Sequence, residues 1–172
     1  MPSLPLRIAI LECDTPMDSI RAKYGAYGSI FASLLSAGAK ALEKPSLSPS
    51  DLQISAFDVV TKQEYPSLED IDAVLLTGSK HNSFEDHPWI LKLVAFTEKV
   101  LKQRRVRIIG VCFGHQIVGR ALGNKVGRSD KGWETSVTAI DLTKKGQEIF
   151  GKTALVCYSS LSLAYTFTNS LR

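Results

Sequence analysis

The sequence has little from which a metal centre or a disulfide scaffold could be built, and it has no long apolar run. Its 172 residues include three cysteines and three histidines. The odd number and wide spacing of the cysteines predict neither a disulfide framework nor a zinc site. No apolar stretch could span a bilayer, and the N-terminus lacks a signal-peptide pattern. We therefore expect a cytoplasmic protein with free thiols, no membrane partner, no metal and no cofactor.

Charge is also modest, with a formal net value of +4. Lysine and arginine are spread along the chain, and the densest run, Lys102–Arg107, follows a predicted helix whose C-terminal end favours cations. The composition therefore predicts no nucleic-acid partner. With 44% hydrophobic residues, the length suits one globular domain spanning residues 1–172.

Short apolar runs alternate with segments of helical periodicity. A polar stretch, Glu12–Lys23, reads as a loop, and Gly38 as a helix stop. This alternation predicts an α/β fold with an open, mostly parallel sheet and helices on both faces. The predicted strands are Leu6–Leu11, Leu52–Phe57, Asp72–Leu76, Val106–Val111 and Thr135–Leu142. The predicted helices start near Tyr27, Pro88, Phe113 and Lys144.

The most informative motif is Gly-x-Cys-x-Gly, centred on Cys112 between a predicted strand and a predicted helix. This pattern is typical of a nucleophile elbow, with cysteine in place of serine. Glycines two residues before and after Cys112 would let the backbone approach its neighbours closely. The helix N-terminus would favour the thiolate, and its free N–H groups could stabilise an oxyanion. The alternative is that Cys112 is a small buried hydrophobic residue.

Several segments together resemble the class I glutamine amidotransferases. The nucleophile motif Gly110–Gln116 and the glycine loop Leu75–Ser79 carry the resemblance, which covers residues 6–155 and leaves 156–172 as a divergent tail. Further matching segments are Gly123–Arg128, Lys131–Glu134, His81, Asp86, Pro88 and Trp89. This combination is similar to stand-alone amidotransferase-like proteins of fungi and plants, including γ-glutamyl peptide hydrolases. The resemblance implies the family's flavodoxin-like fold, here incomplete at the C-terminus.

The resemblance also implies a reaction and a set of site residues. Cys112 would attack the amide of glutamine or of a γ-glutamyl compound to give a thioester, which water would hydrolyse. The backbone at Gly78 and the Phe113 N–H would form the oxyanion hole. Gln116, Trp133 and Glu134 would lie near the substrate pocket. The expected partner is thus a small-molecule substrate, and the sequence leaves open whether a synthase subunit receives the ammonia.

The family's base is not found in the sequence. It is a histidine well downstream of the cysteine, oriented by a glutamate two residues later, and the sequence contains no His-x-Glu. His115 lies one helical turn beyond Cys112, and in the family it belongs to the motif's structure rather than serving as the base. His81 and His87 flank the loop after Gly78 and could approach the site. We expect a shortened relative, with an open sheet edge and exposed apolar surface.

Three interpretations therefore remain. The chain could hydrolyse a glutamine or γ-glutamyl amide through Cys112. It could be a catalytically silent relative that binds a ligand or partner. It could also be a redox or chaperone-type protein with an oxidisable cysteine of low pKa. The continuation Gly114-His115-Gln116 and the Gly132–Glu134 segment favour the amidotransferase family over the third interpretation.

Overall fold

A computed structural model describes residues 4–42, 48–128 and 134–161. The chain divides into two compact units, one ending at Val126 and the other starting at Gly127. The elements of the first unit are β1 (Leu6–Glu12), α1 (Asp18–Tyr24), α2 (Tyr27–Ala41), β2 (Leu52–Asp58), β3 (Ala73–Leu76), α3 (Pro88–Gln103), β4 (Arg107–Gly110) and α4 (Phe113–Ala121). Those of the second unit are β5 (Glu134–Asp141), α5 (Lys144–Phe150) and β6 (Ala154–Leu161).

The four strands of the first unit form one parallel sheet in the order β2-β1-β3-β4. The central strands β1 and β3 are short and largely buried, as expected inside a parallel sheet, whereas the outer strands β2 and β4 are partly exposed. The second unit contains a separate antiparallel pair, β5 and β6. The predicted open, mostly parallel sheet is confirmed. The single domain of residues 1–172 stays a prediction.

Alternation along the strands sends side chains to two different layers. Leu11 and Leu76 belong to a core cluster that includes Leu93 of α3 and Ile117 of α4. On the other face, α2 contacts β1 and β2, and a Cβ on Gly28 would lie 2.6 Å from that of Ala56. Helices therefore cover both faces of the sheet, as predicted, because adjacent residues of a strand point in opposite directions.

Part of the face beside α2 is open. A cavity of about 1120 Å³ lies between the sheet and α2, bordered by Ile8, Leu35 and Ile109 among others. Ile109 is 44% exposed, and within the described ranges β4 has a strand partner only at β3. The predicted open edge and exposed apolar surface are thus present in the part of the chain that the structure describes.

Two secondary-structure predictions were wrong. The stretch predicted as a loop contains α1, which has no buried residue and so gave no apolar periodicity. Helix α2 does not stop at Gly38 but runs through it, since a helix tolerates an exposed glycine at a cost of about 1 kcal/mol. The first six residues of the divergent tail, 156–161, form the end of β6.

The basic run after α3 serves the fold. Arg105 and Arg7 both pair with Asp72, at 3.4 and 2.8 Å, just before β3 begins. Hydrogen bonds from Arg7 to the Asp72 carboxylate lower the pKa of that group to about 2. This cluster ties β1 to the segments that precede β3 and β4.

Among the described residues, no helix is long and apolar enough to cross a membrane.

Two Gly→Ala substitutions in helices should have opposite effects on stability. A Cβ on Gly114 would lie 2.4 Å from the Leu76 carbonyl oxygen, so Gly114→Ala forces α4 away from β3 and should lower the free energy of unfolding by about 1–3 kcal/mol or more. Gly38→Ala meets nothing within 4 Å and should raise it by about 0.5–1 kcal/mol. Chemical denaturation measures both. Equal effects would show that the α4–β3 contact is not tight.

Candidate functional site

Cys112 lies at the sharp turn between β4 and α4. Its φ of 53° and ψ of −109° put it in a region that L-residues rarely adopt. The turn is held on both sides: the Val111 N–H donates to the Leu76 carbonyl at 3.0 Å, and the Gln116 N–H donates to the Cys112 carbonyl at 3.2 Å. A strained residue fixed at the start of a helix is the arrangement expected of a nucleophile elbow.

Both glycines of the motif are required because a side chain at either position would clash with neighbouring backbone atoms. A Cβ on Gly110 would lie 2.6 Å from the His115 backbone nitrogen, inside the first turn of α4. On Gly114 it would meet the carbonyl of Leu76 in β3. The two glycines therefore let the helix begin directly above the strands, which fixes where the Cys112 side chain can lie.

The backbone N–H groups of Phe113 and Ser79 both act on the Cys112 thiol in the direction that lowers its pKa. Phe113 is one of the two predicted oxyanion-hole residues. A Cβ on Gly78, the other one, would lie 3.9 Å from Sγ, so the loop after β3 does reach the thiol. The N–H that points there is that of Ser79, which belongs to the Gly78–Ser79 peptide. The prediction named the backbone at Gly78, which shares this peptide with Ser79, and the oxyanion-hole role of Gly78 and Phe113 stays a prediction.

The expectation that the helix N-terminus favours a thiolate at Cys112 does not hold for the net direction of its pKa. The thiol is half-buried beside the core, and this burial raises its pKa. The N–H groups of Phe113 and Ser79 act in the opposite direction but do not outweigh burial. Sequence patterns reveal the helix N-terminus but not the depth at which the sulfur lies. The site therefore holds a neutral thiol near pH 7.

Gln116, predicted to bind substrate, is buried on α4 under the loop that precedes α3. Its Oε1 accepts a hydrogen bond from the Ser83 hydroxyl at 2.7 Å. Arg120, one turn along, donates to the carbonyls of Ser83 and Glu85, both at 2.9 Å, and pairs with Asp86. These contacts fasten the loop to α4. The role of Gln116 towards substrate stays a prediction.

The histidines occupy different surroundings. His81 packs edge-on against Trp89 with ring centroids 5.3 Å apart, and Trp89 in turn stacks on Phe113 at 5.6 Å. His87 hydrogen-bonds to Glu85 at 3.1 Å on the surface. Burial lowers the pKa of His115, which favours its neutral form. His81 is thus linked to the residue after Cys112 through an aromatic pair, and its use as a base stays untested.

Two predicted substrate residues belong to the second unit. Trp133 lies outside the described residues. Glu134 is the first residue of β5, where the structure describes its backbone alone. The substrate roles of both residues therefore remain predictions.

Comparison with known proteins decides the family. The model of the class-I glutamine amidotransferase family matches residues 26–170, most of the chain. The chain belongs to this family. A putative glutamine amidotransferase-like protein of Schizosaccharomyces pombe is 40% identical over 84% of the chain and 59% of its own length. Gamma-glutamyl peptidase 4 of Arabidopsis thaliana is 35% identical over 71% of the chain and 44% of its own length. The chain thus spans about three-fifths or less of these relatives.

Solved structures support the same fold. A glutamine amidotransferase of Thermotoga maritima superposes with a TM-score of 0.65, at 16% identity, over 91% of this chain and 60% of its own. A glutamine amidotransferase of Methylobacillus flagellatus gives 0.61 at 20% identity, over 91% and 55%. At these identities the match establishes the flavodoxin-like fold of the family and leaves function to the site residues.

Removing the side chain at Cys112 should relieve backbone strain. A non-glycine residue in this conformation costs about 1–3 kcal/mol, which exceeds the entropic cost of glycine in the unfolded chain. We expect Cys112→Gly to be about 1 kcal/mol more stable than Cys112→Ala in chemical denaturation. Ala37→Gly, on the exposed side of α2, is the matched control and should be destabilising by about 1 kcal/mol. A destabilising effect at both positions would mean that Cys112 is unstrained.

The pH midpoint for alkylation of the Cys112 thiol should lie above the ordinary cysteine range. Because burial raises the Cys112 pKa, its thiolate fraction grows only above the ordinary cysteine range, near pH 8.5. We expect the rate of iodoacetamide labelling of Cys112, followed by peptide mass spectrometry, to keep rising beyond that pH. Cys13, fully buried with its pKa raised to about 12, is the internal control and should stay unlabelled in the folded protein. A midpoint near 7 would contradict this assignment.

Proposed function

We propose that this chain performs the thioester chemistry of a glutamine amidotransferase-type hydrolase. The proposal rests on the strained Cys112 at the start of α4 and on the N–H groups of Phe113 and Ser79, which act on its thiol. In the proposed reaction Sγ attacks the side-chain amide carbon of glutamine or of a γ-glutamyl compound. Both relatives' names fit this substrate class, since one refers to glutamine and the other to γ-glutamyl peptides.

The reaction balances because one proton moves from the thiol to the leaving nitrogen. Attack forms the S–C bond and places negative charge on the former carbonyl oxygen, which the two N–H groups would stabilise. The thiol proton passes to the leaving nitrogen as the C–N bond breaks, which releases ammonia or an amine. Water then cleaves the γ-glutamyl thioester to the free acid and restores the thiol. Gln116, Trp133 and Glu134 are proposed to border the substrate.

The proton step is the demanding one here. A thiol with a raised pKa needs a base during attack. The sequence contains no His-x-Glu pair, and its histidines are His81, His87 and His115. The raised pKa of Cys112 favours a second candidate function, a relative that binds the γ-glutamyl group but turns over slowly or not at all. The raised pKa also argues against the redox alternative, because oxidisable sensor cysteines have lowered values.

Labelling with a chloro-ketone analogue of glutamine tests the proposal. We expect one adduct, at Cys112, that free glutamine suppresses by competition. Cys112→Ala should abolish it, whereas Cys13→Ala, the matched control at a buried thiol, should keep it. Intact and peptide mass spectrometry measure the adduct, and a coupled glutamate assay measures turnover.

The outcomes separate the two functions. Selective labelling with glutamate release supports the hydrolase. Selective labelling without glutamate release supports the silent, ligand-binding relative. Labelling of Cys112 that glutamine does not suppress, in a chain that unfolds cooperatively, would overturn both.

A further inference from the structure

We propose that the Thr77 hydroxyl is a positioning group that locks the Gly78–Ser79 peptide with its N–H facing Cys112. This inference rests on the proposed function, because it assigns the origin of one of the two oxyanion donors. Thr77 follows β3 directly and is fully buried. Its hydroxyl forms hydrogen bonds with two backbone groups, and it also interacts with the Cys13 thiol, which acts to lower the pKa of that thiol.

The directions of these two bonds are fixed by chemistry. The Cys13 N–H can only donate, so it donates to Thr77 Oγ1, at 2.9 Å. The Gly78 carbonyl can only accept, so the Thr77 hydroxyl proton goes to it, at 3.0 Å. One hydroxyl thus connects the end of β1 to the carbonyl of the next peptide, and that carbonyl is a stronger acceptor for the hydroxyl proton than the neighbouring Cys13 sulfur.

Peptide geometry carries this constraint to the sulfur. The Gly78 carbonyl and the Ser79 N–H belong to one planar trans peptide, where they point in opposite directions. When Thr77 holds the oxygen, the Ser79 N–H must face the other side, towards Cys112, whose pKa this N–H acts to lower. The loop is close to the sulfur there, since a Cβ on Gly78 would lie 3.9 Å from Sγ. Gly78 has no Cβ, so its backbone could rotate this peptide at little cost. The Thr77 hydroxyl supplies the restraint that glycine does not.

A second anchor lies on the other side of Ser79. The Asp14 carboxylate, whose side chain is 8% exposed, accepts from the Lys80 N–H at 2.7 Å and pairs with Lys80 Nζ at 3.1 Å. Cys13, which bonds to the Thr77 hydroxyl, and Asp14, which holds Lys80, are adjacent residues just after β1. The Gly78–Ser79 peptide is therefore held from both ends by the same turn.

The test compares two electrophiles on the same cysteine. Attack on the glutamine chloro-ketone builds negative charge on its carbonyl oxygen, whereas iodoacetamide is attacked at a saturated carbon and needs no oxyanion donor. Thr77→Val keeps the shape but removes both hydrogen bonds. We expect it to slow chloro-ketone labelling of Cys112 by up to about 100- to 1,000-fold, the loss typical of one missing oxyanion donor, and to change iodoacetamide labelling by less than about twofold. Thr77→Ser should restore both rates.

Each result is decisive for one claim. In a folded Thr77→Val protein, an unchanged chloro-ketone rate would overturn the lock, and an equal fall with both reagents would make Thr77 a merely structural residue. If Thr77→Val does not fold, Thr77→Ala takes its place, since its smaller side chain leaves room for a water at the Cys13 N–H. A wild-type chain that reacts with iodoacetamide but not with the chloro-ketone would overturn the proposed function and, with it, the oxyanion role that Thr77 is proposed to support.

Discussion

The contact between α4 and β3 leaves no room for a side chain at Gly114, and the candidate site depends on that contact. Because the helix lies against the Leu76 carbonyl, the turn before it must be sharp, and Cys112 must adopt a left-handed φ. The same strand continues into the loop that brings the Ser79 N–H to the sulfur. One close backbone approach thus fixes the relative positions of the thiol and of both donors.

The sequence predicted this part of the molecule well because its signals are local. Glycines on either side of Cys112, an apolar strand before and a helix after leave few alternatives for the turn. It failed where the outcome depends on tertiary surroundings. The pKa of Cys112 follows from burial, which periodicity does not report. The assignment of the N–H to Ser79 depends on which way one peptide plane faces, and that is decided by Thr77, 35 positions away from Cys112 along the chain.

The sheet shows the same division between local and distant causes. Short apolar runs identified the central strands β1 and β3, and alternation of apolar and polar residues identified β2. They did not reveal α1, whose residues all face solvent, or the extent of the cavity beside α2. That cavity is bordered by Ile109 of β4, a strand with one described neighbour. Apolar side chains thus remain exposed at the edge from which the Cys112 turn starts.

The neutral thiol also bears on where the proposed stabilisation would act. Sulfur of an uncharged thiol is a weak acceptor, so the N–H groups of Phe113 and Ser79 gain little from it in the free protein. An oxyanion on the substrate would offer them much stronger, charge-assisted bonds. The two N–H groups would then stabilise the transition state more than the resting thiol, and only such a difference accelerates the chemical step. A thiolate in the resting site would already engage both donors and would reduce that difference.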